Sequence, residues 1–359
     1  MREVIRDIEK WLASGEQVCL ATVVETWGSS PRPAGSKMAV SSAGQIAGSV
    51  SNGCVEADVV TNAQEVIAHG QPRLLRYGVS DELAFSVGLS CGGEISVLLQ
   101  PVDWTDAPGS HRRFADAVKA GRPVLLATAI NHAHLGKRLI AFADDANLEG
   151  QLAAAVAQWL GPRVDELLEA ESCVGAKVDD FDIFIDVQPA PSRIVIVGAI
   201  HIAEALVPMA HQLGYQVIIV DPREAFCNPE RFGSADQLVV AWPDEGLDQL
   251  GLDRTTYVVI LTHDPKFDHP ALKAALAARP RYIGAIGSRR TNQARSERLR
   301  QAGVLESDIS RIHAPVGLDL GARSAEETAL AILAEITAVR RGRTGGMLVK
   351  AAQPANAPA

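Results

Sequence analysis

The spacing of apolar and polar positions changes several times along the chain, and each change marks an element. Residues 1–14 read as an amphipathic helix, and residues 18–24, Val-Cys-Leu-Ala-Thr-Val-Val, as a strand. Residues 27–35, Trp-Gly-Ser-Ser-Pro-Arg-Pro-Ala-Gly, form a stiff loop punctuated by two prolines and two glycines. Residues 37–40 resume a strand, and residues 45–50 lead into a turn of small residues, Gly48-Ser-Val-Ser-Asn-Gly53. From about Cys54 to Ala68, Val55, Val59, Ala63 and Val66 recur at helical spacing. A second glycine-rich turn, Gly88-Leu-Ser-Cys-Gly-Gly-Glu94, feeds an apolar strand at residues 95–99.

The next stretch repeats the first. Gly15-Glu-Gln-Val-Cys-Leu-Ala-Thr-Val-Val matches Gly121-Arg-Pro-Val-Leu-Leu-Ala-Thr-Ala-Ile, and Gly35-Ser-Lys-Met-Ala-Val matches Gly136-Lys-Arg-Leu-Ile-Ala. Glu94-Ile-Ser-Val-Leu-Leu-Gln-Pro101 matches Asp182-Ile-Phe-Ile-Asp-Val-Gln-Pro189. The second copy keeps the strands and an alanine-rich helix at residues 152–160. It lacks the Trp27–Gly35 loop and both glycine-rich turns. A scaffold needs strands and helices but not those loops, so their confinement to one copy points to a site there.

After Pro189-Ala-Pro-Ser192 the pattern alternates between buried strands and helices. Residues 193–198, 216–220, 238–241, 257–262 and 282–286 read as strands of a parallel sheet. The fold expected is α/β: a mixed N-terminal domain at residues 1–189, built from related units 1–105 and 106–189, then a Rossmann-like doubly wound domain at residues 190–345. The Ala/Pro-rich residues 346–359 read as a disordered tail.

Composition narrows the functions available. The 359 residues carry a net charge of −9, which argues against nucleic acid or an anionic membrane as main partner. No apolar run is long enough to span a bilayer. Five cysteines without zinc-ligand spacing fit reduced thiols in a cytoplasmic protein rather than a disulfide framework.

Candidate chemistry falls in both halves. A turn feeding a helix N-terminus offers bare amides and a positive dipole end to an anion, through Gly48, Ser49, Asn52 and Gly53. Cys54 in the first turn of that helix would have its thiolate favoured. The plainer alternative is an ordinary cap with a small buried cysteine. Cys91, Gly92 and Gly93 form the second candidate turn, and Arg32 and Lys37 add positive charge. Cys19, Cys173 and Cys227 lie outside these motifs.

In the C-terminal half, Gly198-Ala-Ile-His-Ile-Ala203 followed by Asp221 at the next strand end occupies the place of a dinucleotide fingerprint. Ile200 stands where the middle glycine lets backbone approach a pyrophosphate, which argues against NAD(P). His201 could instead reach an anion. His263 and Asp264 follow one strand, and Ser288 and Arg289 open a helix after another, where a phosphate could pair. His263, Asp264, Asp268 and His269 could be drawn as a metal cluster, but caps and hydrogen bonds explain them as well.

Gly48-Ser-Val-Ser-Asn-Gly-Cys-Val-Glu56, Gly88-Leu-Ser-Cys-Gly-Gly-Glu94, Thr262-His-Asp264 and Gly284-Ala-Ile-Gly-Ser-Arg-Arg290 together resemble the XdhC/CoxI family. The resemblance runs from about Met1 to Arg343. It implies an accessory protein that binds molybdenum cofactor, as molybdopterin or its cytosine dinucleotide. It further implies that the protein works with a cysteine desulfurase in sulfuration of that cofactor and inserts it into an apo molybdenum hydroxylase large subunit. Xanthine dehydrogenase and CO dehydrogenase are hydroxylases of this type. A homodimer is also implied, and Cys54 and Cys91 become possible molybdenum or persulfide ligands. Many relatives have Gly-Ala-Gly-His where Ile200 stands here. The alternatives from other classes are an NAD(P)-binding oxidoreductase and a sulfurtransferase carrying a persulfide on Cys54 or Cys91.

Overall fold

The computed structural model of the chain describes residues 1–28, 30–78, 93–143 and 145–350. It divides into two compact units, Met1–Ala190 and Pro191–Ala359.

In the first unit, helix α1 (Ile5–Ala13) precedes strands β1 (Val18–Trp27), β2 (Lys37–Ser41) and β3 (Ile46–Gly48). Helix α2 (Glu56–His69) and strands β4 (Arg73–Tyr77) and β5 (Glu94–Pro101) complete the first copy. The second copy comprises α3 (His111–Lys119), β6 (Val124–Ala129), β7 (Arg138–Phe142), β8 (Asp145–Gly150), α4 (Ala154–Leu160), α5 (Val164–Ala170), β9 (Val174–Val178) and β10 (Phe181–Gln188). Each copy forms a five-stranded antiparallel sheet, in the orders β3-β2-β1-β5-β4 and β8-β7-β6-β10-β9. The repeat read from short matches is therefore a repeat of topology.

The apolar stripe of α2 is buried on one face of the first sheet, with Val59, Ala63 and Val66 among Ala21, Val23, Met38 and Val97. Burial of each valine contributes about 1.5–3 kcal/mol. In the second copy α4 and α5 cover the corresponding face through Val156, Leu160, Val164 and Leu168. A further cluster joins α1 and α3 to strand residues of both sheets, including Leu20, Ala39, Leu126 and Ile140. Inside this unit the Lys37 ammonium lies 2.5 Å from Asp186, both buried, and donates to Thr22 Oγ1 at 3.2 Å. Lys37 belongs to the first sheet and Asp186 to the second, so the pair ties the copies together. Burial would raise the Asp186 carboxyl, and Lys37, with smaller help from neighbours that include Gln188, holds the group below its usual range.

In the second unit, six parallel strands follow the order β13-β12-β11-β14-β15-β16. They are β11 (Arg193–Val197), β12 (Gln216–Val220), β13 (Gln237–Val239), β14 (Thr256–Ile260), β15 (Tyr282–Ala285) and β16 (Ile312–His313). Their continuous apolar runs are explained by cover on both faces. Helices α6 (His201–Gln212) and α12 (Ala325–Arg340) pack on one side. On the other lie α8 (Pro243–Leu250), α9 (Pro265–Ala278) and α10 (Arg289–Gln301), with α7 (Pro229–Phe232) and α11 (Glu306–Ile309) as short connectors. The strand order reverses between β11 and β14, where a doubly wound sheet opens a crevice. There Gly198, at φ +112°, leaves so little room that a Cβ would come within 2.7 Å of the Thr262 methyl.

Candidate functional site

The turn between β3 and α2 is built around a carboxylate. Glu56 Oε1 accepts from Ser49 Oγ at 2.6 Å, Val50 N–H at 3.2 Å and Ser51 N–H at 2.8 Å. Its Oε2 accepts from the Ser51 hydroxyl, from Gly53 N–H at 2.9 Å and from Val55 N–H at 3.2 Å. Partial burial would raise this carboxyl, but the bonds from Ser49 and Ser51 override it and bring the group down to about 2. The amides expected to receive an anion are thus taken within the chain: Gly53 N–H by Glu56, Ser49 N–H by the Lys37 carbonyl and Asn52 N–H by Ser49 Oγ. This corrects the reading of Ser49 and Gly53 as open phosphate donors.

The other turn residues have distinct jobs. Gly48, at φ +74°, sits where a Cβ would lie 2.3 Å from the Lys37 carbonyl, so strand packing requires a glycine there. Asn52 (φ 60°) and Gly53 (φ 111°) take consecutive left-handed conformations that reverse the chain. Asn52 N–H donates to Ser49 Oγ at 2.9 Å, and its side chain donates to the Pro31 carbonyl at 3.2 Å, joining the turn to the Trp27–Gly35 loop. Arg32 in that loop pairs with Glu3 at 2.9 Å. Lys37 does not add charge to the turn, because its ammonium is buried against Asp186.

Helix α2 begins at Glu56, so Cys54 lies just ahead of the first turn rather than within it. Its side chain is half-buried, at the edge of the cluster beneath α2. Among the other described cysteines, Cys173 is likewise half-buried, and Cys19 and Cys227 are buried. Cys19 is fully buried and burial pushes its thiol up to about 12. Burial, with Asp186 beside it, pushes Cys173 up to about 11, and Cys173 Sγ accepts from Val187 N–H at 3.4 Å. Cys227 is buried, which raises its thiol as well. Gly93 is buried directly before β5, while Cys91 and Gly92 lie outside the described residues.

At the switch point of the second unit, Asp221 is turned inward. Its Oδ2 accepts from Ala199 N–H at 2.8 Å and Arg223 Nη2 at 2.6 Å, and its Oδ1 accepts from Arg223 N–H and Nε at 2.9 and 2.8 Å. Burial would raise the group; Arg223 holds it below its usual range. Asp221 is 1% exposed and its oxygens are taken, so it is not poised for a ribose hydroxyl. Ile200 packs partly against the core cluster under α6, and His201 is exposed with Nδ1 3.2 Å from Glu204.

Asp264 caps α9, accepting from Lys266 N–H at 3.1 Å, and His263 beside it is exposed. Asp268 is buried against Arg295 at 2.5 Å and accepts from the Thr262 hydroxyl. Among the described residues, no group of three His, Cys, Asp or Glu side chains is placed to hold a metal. Ser288 caps α10, accepting from Thr291 N–H at 3.1 Å, and Arg289 lines a recess of about 190 Å³ with Asn292, Arg295 and Ile312. No described helix is long and apolar enough to cross a membrane.

Two functional groups were not singled out from the sequence: Glu56 and the Lys37–Asp186 pair. Glu56 carried a usable signal, a carboxylate three residues after Gly53, the spacing at which a side chain returns to an amide at a helix start. Arg223, two residues after Asp221, likewise signalled that this acid has a partner. Nothing local in sequence joins Lys37 to Asp186.

Comparison with known proteins bears on both units. Residues 11–78 match the XdhC and CoxI family, and residues 194–336 match the XdhC Rossmann domain. The Molybdenum cofactor insertion chaperone PaoD of Escherichia coli (strain K12) is 29% identical over 341 residues, covering 94% of this chain and 88% of that protein. A probable xanthine dehydrogenase subunit of Bacillus subtilis (strain 168) is 27% identical over 341 residues, covering 93% and 96%. A crystal structure from Bacillus halodurans, described as a xanthine dehydrogenase, superposes with a TM-score of 0.75 at 26% identity and 98% coverage of each chain.

Proposed function

The chain belongs to the XdhC and CoxI family, and from that premise we propose that it is a maturation chaperone that binds molybdenum cofactor and inserts it into a xanthine-dehydrogenase-type hydroxylase. The observation that carries this reading is the placement of Cys54. It is a half-buried thiol in a turn that only the first copy possesses, and Cys19, Cys173 and Cys227 lie outside that turn. A thiolate is a suitable soft donor for molybdenum, so the donor chemistry fits the metal-bearing end of the cofactor. The phosphate end is not assigned to the turn amides, because Glu56, the Lys37 carbonyl and Ser49 Oγ take them. When bound, the cofactor would supply the redox-active metal. The chain's own part is to hold it through Cys54, with Asn52 and the Trp27–Gly35 loop shaping the approach.

The same reading takes an apo molybdenum hydroxylase as client and a cysteine desulfurase as the source of the terminal sulfur. The cytosine dinucleotide form, CO dehydrogenase as an alternative client, and a homodimer belong to its finer detail. The relatives named above support the maturation role, and inward-facing Asp221 weighs against an NAD(P)-dependent oxidoreductase. The test is co-purification of the full chain with an apo-hydroxylase, followed by cofactor transfer. Activation of the hydroxylase that depends on the chain supports the reading; unchanged activation without it overturns it.

A further inference from the structure

Both amides that flank Cys54 donate to one oxygen. Gly53 N–H and Val55 N–H reach Glu56 Oε2 at 2.9 and 3.2 Å, while Oε1 holds the earlier part of the turn through Ser49, Val50 and Ser51. The backbone is therefore held at Gly53 and at Val55, one residue before and one after Cys54, by a side chain two residues further on, with Val55 N–H shared with Ser51 Oγ at 3.0 Å. The second copy has nothing comparable, since it passes from β8 to α4 through residues 151–153 alone and the N-cap Ala153 makes no side-chain cap bond. The equivalent helix is entered without a carboxylate, so Glu56 belongs to the longer turn that the first copy adds.

We propose that Glu56 is a positioning residue for Cys54: its Oε2 clamps the backbone on both sides of the cysteine and sets how the thiol is presented to a bound metal. The proposal rests on Cys54 as the ligand named above. Charge-assisted bonds of this kind are the strong ones, and two of them act on the Cys54 segment directly.

Glu56→Gln is the discriminating variant in the full chain. It keeps the length and an acceptor for the Oε1 donors but places an NH₂ where Oε2 accepts from Gly53 and Val55. Ser49→Ala is its counterpart, removing a donor to Oε1 and the acceptor for Asn52 N–H while leaving both Oε2 bonds to Gly53 and Val55 in place. Three quantities are read: the Cys54 iodoacetamide rate by peptide mapping, the amide resonances of labelled Gly53 and Val55, and thermal unfolding. Glu56→Gln should change the Cys54 rate about tenfold and shift both resonances, whereas Ser49→Ala lowers the unfolding temperature without either change. If both variants lower the unfolding temperature and leave the Cys54 rate alike, Glu56 is structural only and the proposal is overturned. If Glu56→Gln does not fold, Glu56→Asp, which keeps the charge but draws the carboxylate back from Gly53 and Val55, must move the Cys54 rate in its place, and no movement overturns the proposal. A separate titration of wild type and Cys54→Ser with isolated molybdopterin tests the ligand reading on its own, since it does not involve Glu56.

Discussion

The two sheets of the N-terminal unit share a strand order and differ in how they enter their helices. In the second copy, Gly150 ends β8 and Gln151 N–H donates to the Arg138 carbonyl at 2.7 Å. In the first, Gly48 ends β3 and Ser49 N–H donates to the Lys37 carbonyl at 3.0 Å. A Cβ on either glycine would lie 2.2–2.3 Å from that carbonyl oxygen. Gly48 is therefore framework, common to both copies. What the first copy adds comes after it: residues 49–55, with Glu56 inside the turn and Cys54 at its tip. The comparison separates residues that a fold requires from residues that it merely carries.

The largest effect is expected where the copies meet. Lys37→Met leaves the buried Asp186 without its ammonium partner and should lower stability by about 3–5 kcal/mol in chemical denaturation of the full chain. A loss below about 1 kcal/mol would show that the pair does not hold the sheets together.

Gly48→Ala and Gly150→Ala should each lower stability, by about 1–3 kcal/mol. The equivalence of the two positions fails if one is tolerated and the other is not.

Glu56 makes a pH prediction confined to the first copy. Its carboxyl lies below the ordinary 4.5, at about 2. The associated stability is present above the ordinary value and is lost as pH falls towards about 2. With its partial exposure discounted, the contribution is on the order of 1–2 kcal/mol. In Glu56→Gln that part of the acid dependence should vanish; an unchanged acid profile would contradict the bonding described.

The smallest effect is expected from Asn52→Ala. It removes the bond to the Pro31 carbonyl and should reduce stability by about 1 kcal/mol. Protection of the Trp27–Gly35 loop from proteolysis should fall with it, and unchanged protection would detach that loop from the turn.

Much of this architecture was legible in the chain. Strands announce themselves by apolar runs, so both copies and the five main strands of the parallel sheet could be read directly. Short matches such as Gly35-Ser-Lys against Gly136-Lys-Arg revealed a repeat because the backbone takes the same positive-φ turn at both glycines, φ +89° and +83°. The site was harder to read. Glycine and serine in a turn signal available amides, but they do not say which acceptor takes them, and Glu56 does. Asp221 was read outward from its place at a strand end, yet Arg223 and Ala199 turn it inward. The Lys37–Asp186 pair depends on how two sheets face each other, a relation that no local pattern encodes.

The decisive experiment is a titration of isolated molybdopterin cofactor, followed by its absorption, into the wild-type chain and Cys54→Ser. Binding that weakens at least about tenfold in the variant is the result expected if Cys54 holds the metal-bearing end. Equal binding by both proteins would contradict that role and return Cys54 to an ordinary residue of the turn.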